Sequence, residues 1–339
     1  VIRDGKADMV AFGRALIAEP ELINKYAENR LDSVRVCLGC NEGCTGHTGK
    51  LLDITCAINP RAGYEGKYPL GVKADKALKV AVVGAGPAGL QAALTAAQRG
   101  HSVTLFERGE DIGGLLHPAS RPPFKDSLME LVRYFRHELD ALGVNIRCGV
   151  TVTGQLLQAQ AFDMTLLATG SRPVIPRFAA ELPNMTTAEH ILLEAIKPGH
   201  RVLIIGGGMI GCELADFLGE RGHAVTILEM RPEVAQDMEW RARHTLMPRL
   251  ERYGVTLLTG MEVMETANTG RIRIRDAYGV EEWLEPFDTT AISVGYRPEK
   301  MLARELEHMR LPYKAIGDCV APGKILDAMH QGLAAAYAL

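Results

Sequence analysis

KVAVVGAGPAGLQAALTAAQRGHSVTLFER, residues 79–108, decides the fold, and RVLIIGGGMIGCELADFLGERGHAVTILEM, residues 201–230, repeats its pattern. Each stretch has an apolar run, a turn rich in glycine, a helical pattern and a second apolar run. The first glycines of the two turns, Gly84 and Gly206, are 122 residues apart. This internal repeat predicts an α/β chain with two Rossmann-like domains.

Both turns have the spacing G-x-G-x-x-G. The first glycine permits the tight turn, the second lets a pyrophosphate approach, and the third lets the helix pack on the strand. An acid ends the next strand, where it can bind a ribose hydroxyl. We predict a dinucleotide at each turn, rather than a purely structural glycine turn. The predicted contacts are Gly84, Gly86, Pro87, Ala88, Gly89, Glu107 and Arg108 in the first copy, and Gly206, Gly208, Met209, Ile210 and Glu229 in the second.

Two further segments distinguish the copies. RGEDIGGLL (108–116) contains a glycine doublet, and KAIGDCVAPGKILDAMHQGLAAA (314–336) places an aspartate between a strand and a helix. They resemble the FAD half of the disulfide-reductase-like flavoproteins, in which this aspartate meets the ribityl chain. The resemblance implies FAD at the first copy, held also by Gly114, Leu115 and Asp318, and a nicotinamide nucleotide at the second. An alternative role for the aspartate is a helix N-cap.

The acid of the second copy bears on the choice of nicotinamide nucleotide. A carboxylate accepts a 2′-hydroxyl proton but repels a 2′-phosphate, so Glu229 favours NADH over NADPH. Arg231 lies two residues further on and could partner a phosphate, which leaves NADPH open as the alternative.

Four cysteines lie close together in the spacing C-x2-C-x3-C-x11-C, as Cys37, Cys40, Cys44 and Cys56. Structural zinc usually takes two separated pairs, whereas three thiolates in one loop suit an iron–sulfur cubane. The spacing therefore favours a [4Fe–4S] cluster, with zinc as the alternative. Clustered thiols in a chain without a disulfide framework indicate a reducing compartment, and we expect a cytoplasmic protein.

A family resemblance joins these features. GKADMVAFGRALIAEPEL (5–22), the cysteine segments CLGCNEGC (37–44) and ITCAINPRAG (54–63), and VAVVGAGPAGLQAA (80–93) follow in this order. They resemble the iron–sulfur members of the old yellow enzyme family, of the 2,4-dienoyl-CoA reductase, 2-enoate reductase and trimethylamine dehydrogenase types. The resemblance implies an FMN-bearing (β/α)8 barrel, then a cluster segment held by the four cysteines, then the two dinucleotide domains. It also implies that Gly13 and Arg14 bind the FMN phosphate, at the end where such barrels bind phosphate.

Most of that barrel is missing from these 339 residues. Residues 7–12 are its one strand candidate, and one strand cannot close a barrel. Because Val1 is not an initiator methionine and the last residues lie inside a helical pattern, we expect a piece of a longer protein. The predicted divisions are 1–33 (end of the barrel), 34–63 (cluster segment), 64–77 (linker), 78–183 with 285–339 (FAD domain) and 184–284 (inserted NAD(H) domain).

The predicted function is electron transfer from NADH through FAD and [4Fe–4S] to FMN, for reduction of an enoate- or enoyl-type substrate in the barrel. An alternative is an amine dehydrogenase or demethylase that sends electrons outward, with ADP or FAD at the first site. A zinc-bearing binding or regulatory module is a third possibility. Hydride transfer requires no side chain as acid or base, and no catalytic residue is predicted. His117 and His330 lie in segments expected to approach the flavin.

The overall charge argues against two classes of partner. Lys and Arg total 38 against 41 Asp and Glu, and no run of like charge occurs, which argues against nucleic acid and anionic membranes. The sequence contains no stretch of about 20 uninterrupted apolar residues, so it predicts no membrane span. The expected partner is the small-molecule substrate of the barrel. The family often assembles, so a homo-oligomer is compatible with the sequence.

Overall fold

The computed structural model describes the backbone of residues 1–339 and every side chain except that of Glu181. The helices are α1 (Arg14–Ala18), α2 (Leu22–Ala27), α3 (Thr45–Thr48), α4 (Pro87–Gln98), α5 (Leu116–Ala119), α6 (Ser127–Ala141), α7 (Gly154–Gln160), α8 (Ala188–Leu192), α9 (Met209–Glu220), α10 (Trp240–Arg252), α11 (Met301–Met309) and α12 (Ile325–Tyr337). Short 3-10 turns lie at Leu31–Ser33, Arg177–Glu181 and Gly317–Cys319.

The strands are β1 (Lys79–Val83), β2 (Ser102–Phe106), β3 (Asn145–Arg147), β4 (Met164–Leu167), β5 (Ser171–Pro173), β6 (Met185–Thr187), β7 (Arg201–Ile205), β8 (Ala224–Glu229), β9 (Thr256–Thr259), β10 (Glu262–Thr266), β11 (Ile272–Arg275), β12 (Glu281–Leu284), β13 (Thr289–Ile292), β14 (Tyr296–Pro298) and β15 (Tyr313–Ala315).

The first domain is built on a parallel sheet in the order β15-β4-β1-β2-β3. Its central strand β1 is buried over Val80–Val83, as expected for a parallel strand covered on both faces. Helix α4 packs against α12 so closely that a Cβ at Gly332 would lie 2.4 Å from the Ala88 carbonyl oxygen. The end of the chain thus returns to the first domain, as the predicted insertion requires.

The second domain repeats this arrangement with a sheet in the order β6-β13-β7-β8-β9, beside an antiparallel sheet β10-β11-β12. Strand β13 pairs with β7, with Ile292 opposite Ile205. The inserted domain therefore extends past its predicted end at residue 284, because β13 completes the second sheet just as β4 completes the first. Strand β14 then pairs antiparallel with β5 and links the two domains, with Arg297 opposite Arg172.

Residues 7–12, predicted as a strand, form no regular structure. A lone strand leaves its backbone groups unpaired, and no neighbouring strand of the described chain is available to this segment. In the segment that follows, the buried Glu19 carboxylate accepts from Lys25 Nζ at 2.7 Å. Although burial opposes it, Arg35 and Lys25 lower the pKa of Glu19. The Arg35 guanidinium lies 5.6 Å from the centre of the Tyr134 ring on α6.

The described residues contain no helix with the length and apolar character needed to cross a membrane.

Candidate dinucleotide and cluster sites

The first glycine turn joins β1 to α4 and has an open and a closed side. A Cβ at Gly89 would lie 1.8 Å from the Gly84 carbonyl oxygen, so α4 packs on the turn only because residue 89 is glycine. No described atom lies within 4 Å of a Cβ built at Gly86, which leaves that side free for a pyrophosphate. The Glu107 carboxylate accepts from the N–H groups of Ala85 and Gly109, both at 2.8 Å.

In the second turn, between β7 and α9, the helix packs on the turn in the same way. A Cβ at Gly211 would lie 2.0 Å from the Gly206 carbonyl oxygen. Glu229, which is buried, accepts from the N–H groups of Gly207 at 2.6 Å and Arg231 at 2.9 Å. Each acid is thus fixed at its turn by two backbone hydrogen bonds, with further lone pairs available to a ribose hydroxyl.

One cleft of about 2090 Å³ contains both turns. The residues of the predicted set that line it are Gly84, Gly86, Pro87, Ala88, Glu107, Arg108, Gly114, Leu115, Asp318, Gly206, Gly208, Met209, Ile210, Glu229, Arg14 and Cys40. Gly89 lies behind the first turn, where it packs on Gly84. The two predicted nucleotide sites therefore open into a shared space, which sequence spacing alone does not reveal.

Asp318 lies in this cleft on the 3-10 turn after β15. Its carboxylate accepts from Ser171 Oγ at 3.0 Å and from the Gly323 N–H at 3.2 Å, and burial raises its pKa. Helix α12 begins only at Ile325, and its N-terminus is capped at Lys324. The alternative role of Asp318 as the N-cap of that helix is therefore wrong.

An ion pair that sequence reasoning missed crosses the cleft. Lys125 Nζ, in the loop before α6, lies 2.6 Å from Glu213 Oε1 on α9, and both residues line the cleft. Nearby, Arg121 Nη2 lies 3.0 Å from Glu194 Oε2. These pairs connect the first domain to the second. No local motif marks them, since the partners lie far apart in sequence.

The cysteine segment packs against the end of the chain. Lys324 Nζ, at the start of α12, lies 2.8 Å from Glu42 Oε1, between two of the predicted ligands. The Thr55 N–H donates to the Gly43 carbonyl at 2.8 Å and joins the two parts of the segment. The segment is therefore held beside the helix that follows Asp318.

The four thiols of this segment are free and half-buried. Burial raises the pKa of Cys40 to about 11, and the nearby thiols of Cys56 and Cys44 add to the increase. Cys37 likewise adds to the raised pKa of Cys56, whose main cause is burial. Among the described residues, no group of three or more His, Cys, Asp or Glu side chains is arranged to hold a metal ion. The cluster ligands accordingly remain a prediction.

The two histidines singled out in the sequence take different positions. His117 lines the cleft, with Nε2 at 2.8 Å from the Ile112 carbonyl oxygen. His330 Nε2 instead lies 3.2 Å from both Thr55 Oγ1 and the Cys56 carbonyl oxygen, and burial lowers its pKa. His330 thus contacts the cysteine segment.

Of the two residues predicted to bind the FMN phosphate, Arg14 makes a side-chain hydrogen bond. Its Nη1 lies 2.5 Å from Asn41 Oδ1, between Cys40 and Glu42. Gly13 precedes α1, and no described atom lies within 4 Å of a Cβ built there. The phosphate role of both residues remains a prediction.

Comparison with known proteins assigns the chain to a family. Residues 78–321 match the pyridine nucleotide-disulphide oxidoreductase family. The chain is 38% identical to an NADH oxidase from Thermoanaerobacter brockii over 99% of this chain and 52% of that protein. It is 36% identical to a cinnamate reductase from Clostridium sporogenes over 94% of this chain and 47% of that protein.

A solved structure is also similar over the whole chain. A 2-naphthoyl-CoA reductase superposes with a TM-score of 0.95 at 29% identity, covering 100% of this chain and 51% of that one. The chain thus spans about half the length of the relatives it matches. The family match supports FAD and NAD(P)H as cofactors. The chain belongs to the pyridine nucleotide-disulphide oxidoreductases, and its relatives confirm the resemblance to the iron–sulfur flavoenzymes of the old yellow enzyme family.

Proposed function

We propose that this chain is the electron-input half of an NADH-dependent flavin oxidoreductase that reduces an unsaturated substrate of the enoate or enoyl type. The observation that carries the proposal is the single cleft lined by both glycine turns, in which a nicotinamide and a flavin can meet. The relatives add support, since one is named for NADH and two are reductases of cinnamate and 2-naphthoyl-CoA.

The residues of the two turns would bind and orient the nucleotides. Hydride transfer from nicotinamide to flavin is chemistry that the two cofactors supply. Glu107 and Glu229, each held by two backbone N–H groups, would accept ribose hydroxyls. A carboxylate at the second ribose repels a 2′-phosphate, which favours NADH over NADPH. Asp318, fixed by Ser171 and Gly323, would meet the ribityl chain of FAD.

The four cysteine thiols would hold a [4Fe–4S] cluster, which supplies a single-electron carrier. Three of the four thiols lie in one loop, a spacing that favours the cluster over zinc. Gly13 and Arg14, whose guanidinium bonds Asn41 of this segment, would bind the FMN phosphate.

Anaerobic reduction of the reconstituted chain tests the proposal. Purified protein loaded with FAD should show bleaching of the flavin absorbance on addition of NADH, and it should reduce a dye with NADH as donor. A chain that retains no FAD and gives no NADH-dependent dye reduction would refute the nucleotide assignment. In the amine dehydrogenase alternative, the chain would bind ADP or FAD but accept no hydride from NADH.

Metal analysis tests the cysteine assignment separately. The proposal expects about four iron and four labile sulfide per chain, whereas the alternative expects one zinc. A Cys40→Ala variant should lose iron while it keeps FAD and NADH binding, because the turns lie in separate segments.

A further inference from the structure

The N-terminus of α9 already carries an anionic group from the protein. Asp237, in the loop between β8 and α10, places Oδ1 at 2.8 Å from the N–H of Met209, the first residue of the helix. Its Oδ2 lies 3.4 Å from the position of a Cβ at Gly208. The N–H groups at this helix end and the open side of the second glycine are the features that bind a pyrophosphate in turns of this kind.

At the matching positions, the first copy has neither the N–H donor nor the carboxylate acceptor of this contact. Its loop follows the same path, because the Gly113 N–H donates to the Ala85 carbonyl at 2.8 Å just as the Ala235 N–H donates to the Gly207 carbonyl at 2.7 Å. Counting 122 residues back from Met209 and Asp237 leads to Pro87 and Leu115. Proline has no N–H to donate, and leucine has no acceptor to offer.

Asp237 is exposed to the cleft rather than locked in the core. A carboxylate at a helix N-terminus is stabilised by the same N–H groups and dipole that attract a phosphate. The two anions therefore compete for the Met209 N–H, and a carboxylate that stays nearby repels the incoming pyrophosphate.

We propose that Asp237 is a built-in competitor of the nicotinamide nucleotide, which weakens the second site so that NAD+ leaves after each turnover. The first site, with Pro87 and Leu115 at the same positions, has no such competitor and retains its FAD. This inference rests on the proposed function, because it assumes that the second turn binds NAD(H).

Calorimetric titration of the FAD-loaded protein with NAD+ tests the competition. Asp237→Asn keeps an oxygen that can accept from Met209 but removes the charge, so we expect NAD+ to bind about five- to thirtyfold more tightly. Release of NAD+ in stopped flow should slow by a similar factor. Glu233→Gln, in the same loop but paired with Arg243 at 2.9 Å, is the matched control and should leave the affinity unchanged.

A neutral probe checks that the effect acts on the phosphates. Adenosine, which has no phosphate, should bind the wild type and Asp237→Asn equally. The converse variant, Leu115→Asp, should increase the loss of FAD on gel filtration. Unchanged or weaker NAD+ binding in Asp237→Asn would overturn the inference while leaving the proposed function intact. If neither protein binds NAD+, both are overturned, whereas binding by Asp237→Asn alone would support the inference.

Discussion

The two glycine-turn units have the same backbone and different side chains at corresponding positions. In both, an acid accepts from two backbone N–H groups and the loop after the second strand returns to the turn. The loop of Asp318 lies against the first unit, where a Cβ at Gly317 would be 2.7 Å from Ala88 Cβ, and the second unit carries an aspartate at its helix N-terminus. We expect the shared backbone to create two phosphate sites, with a few side chains deciding which nucleotide each site holds and how tightly.

The largest expected effect concerns the third glycine of each unit. Gly89→Ala and Gly211→Ala each place a methyl group about 2 Å from a backbone carbonyl oxygen, and we expect a loss of on the order of 3 kcal/mol in unfolding free energy. Chemical denaturation with domain-specific probes would measure it. If the units are equivalent scaffolds, each variant should destabilise its own domain first. A change below about 0.5 kcal/mol in either would show that the close approach is not needed.

Substitution of the second glycine of each turn should weaken nucleotide binding without lowering stability. Gly86 has φ −77° and ψ −177°, which alanine adopts without strain, and the space beside it is open. We expect Gly86→Ala to leave the free energy of unfolding unchanged or raise it by about 0.5 kcal/mol, while FAD binds about a hundredfold more weakly. FAD content and thermal unfolding of the apoprotein are the measurements. Gly208→Ala is the counterpart, and it should weaken NAD+ and spare FAD.

A smaller effect is expected for Asp318, in the loop that packs against the first unit. Asp318→Asn should weaken FAD about tenfold, since a charged acceptor is lost. Burial raises the pKa of Asp318, so the folded protein binds this proton more readily than the unfolded chain, and stability falls as pH rises through the interval between the two pKa values. The variant should lose that part of the pH dependence in denaturation of the apoprotein. An unaltered profile would contradict the role of burial.

The smallest effect is expected for the ion pair that joins the two units. Lys125 is 39% exposed, so solvent screens its attraction to Glu213, and a double-mutant cycle should give a coupling below about 1 kcal/mol that salt reduces further. The more exposed pair Arg121–Glu194 is the control and should couple still more weakly. A coupling above about 2 kcal/mol would indicate that the pair governs how the domains are held.

Several features could be predicted because they are local. The glycine spacings, the acids at the ends of β2 and β8, and the aspartate after β15 lie within short stretches whose geometry is dictated by sterics and nearby hydrogen bonds. The strand prediction for residues 7–12 is wrong, because a strand needs a neighbouring strand to pair with, and the residue pattern does not show whether one is present. The extent of the inserted domain was underestimated for a similar reason, since β13 belongs to whichever sheet it pairs with.

Other features required packing between distant residues. His330 contacts Cys56, which is 274 residues away in the chain. The pair Lys125–Glu213 spans 88 residues. No periodicity or motif encodes such contacts, because they arise when separate domains meet.

The sequence by itself determined that the chain has two dinucleotide turns, that one domain is inserted in the other, and that four thiols lie in one segment. Only the tertiary structure decided that both turns open into one cleft, that the cysteine segment is held against α12, and that an aspartate contacts the N-terminus of α9. Local backbone geometry follows from short-range sterics and hydrogen bonds. The meeting of the sites follows from long-range burial, which depends on the whole chain.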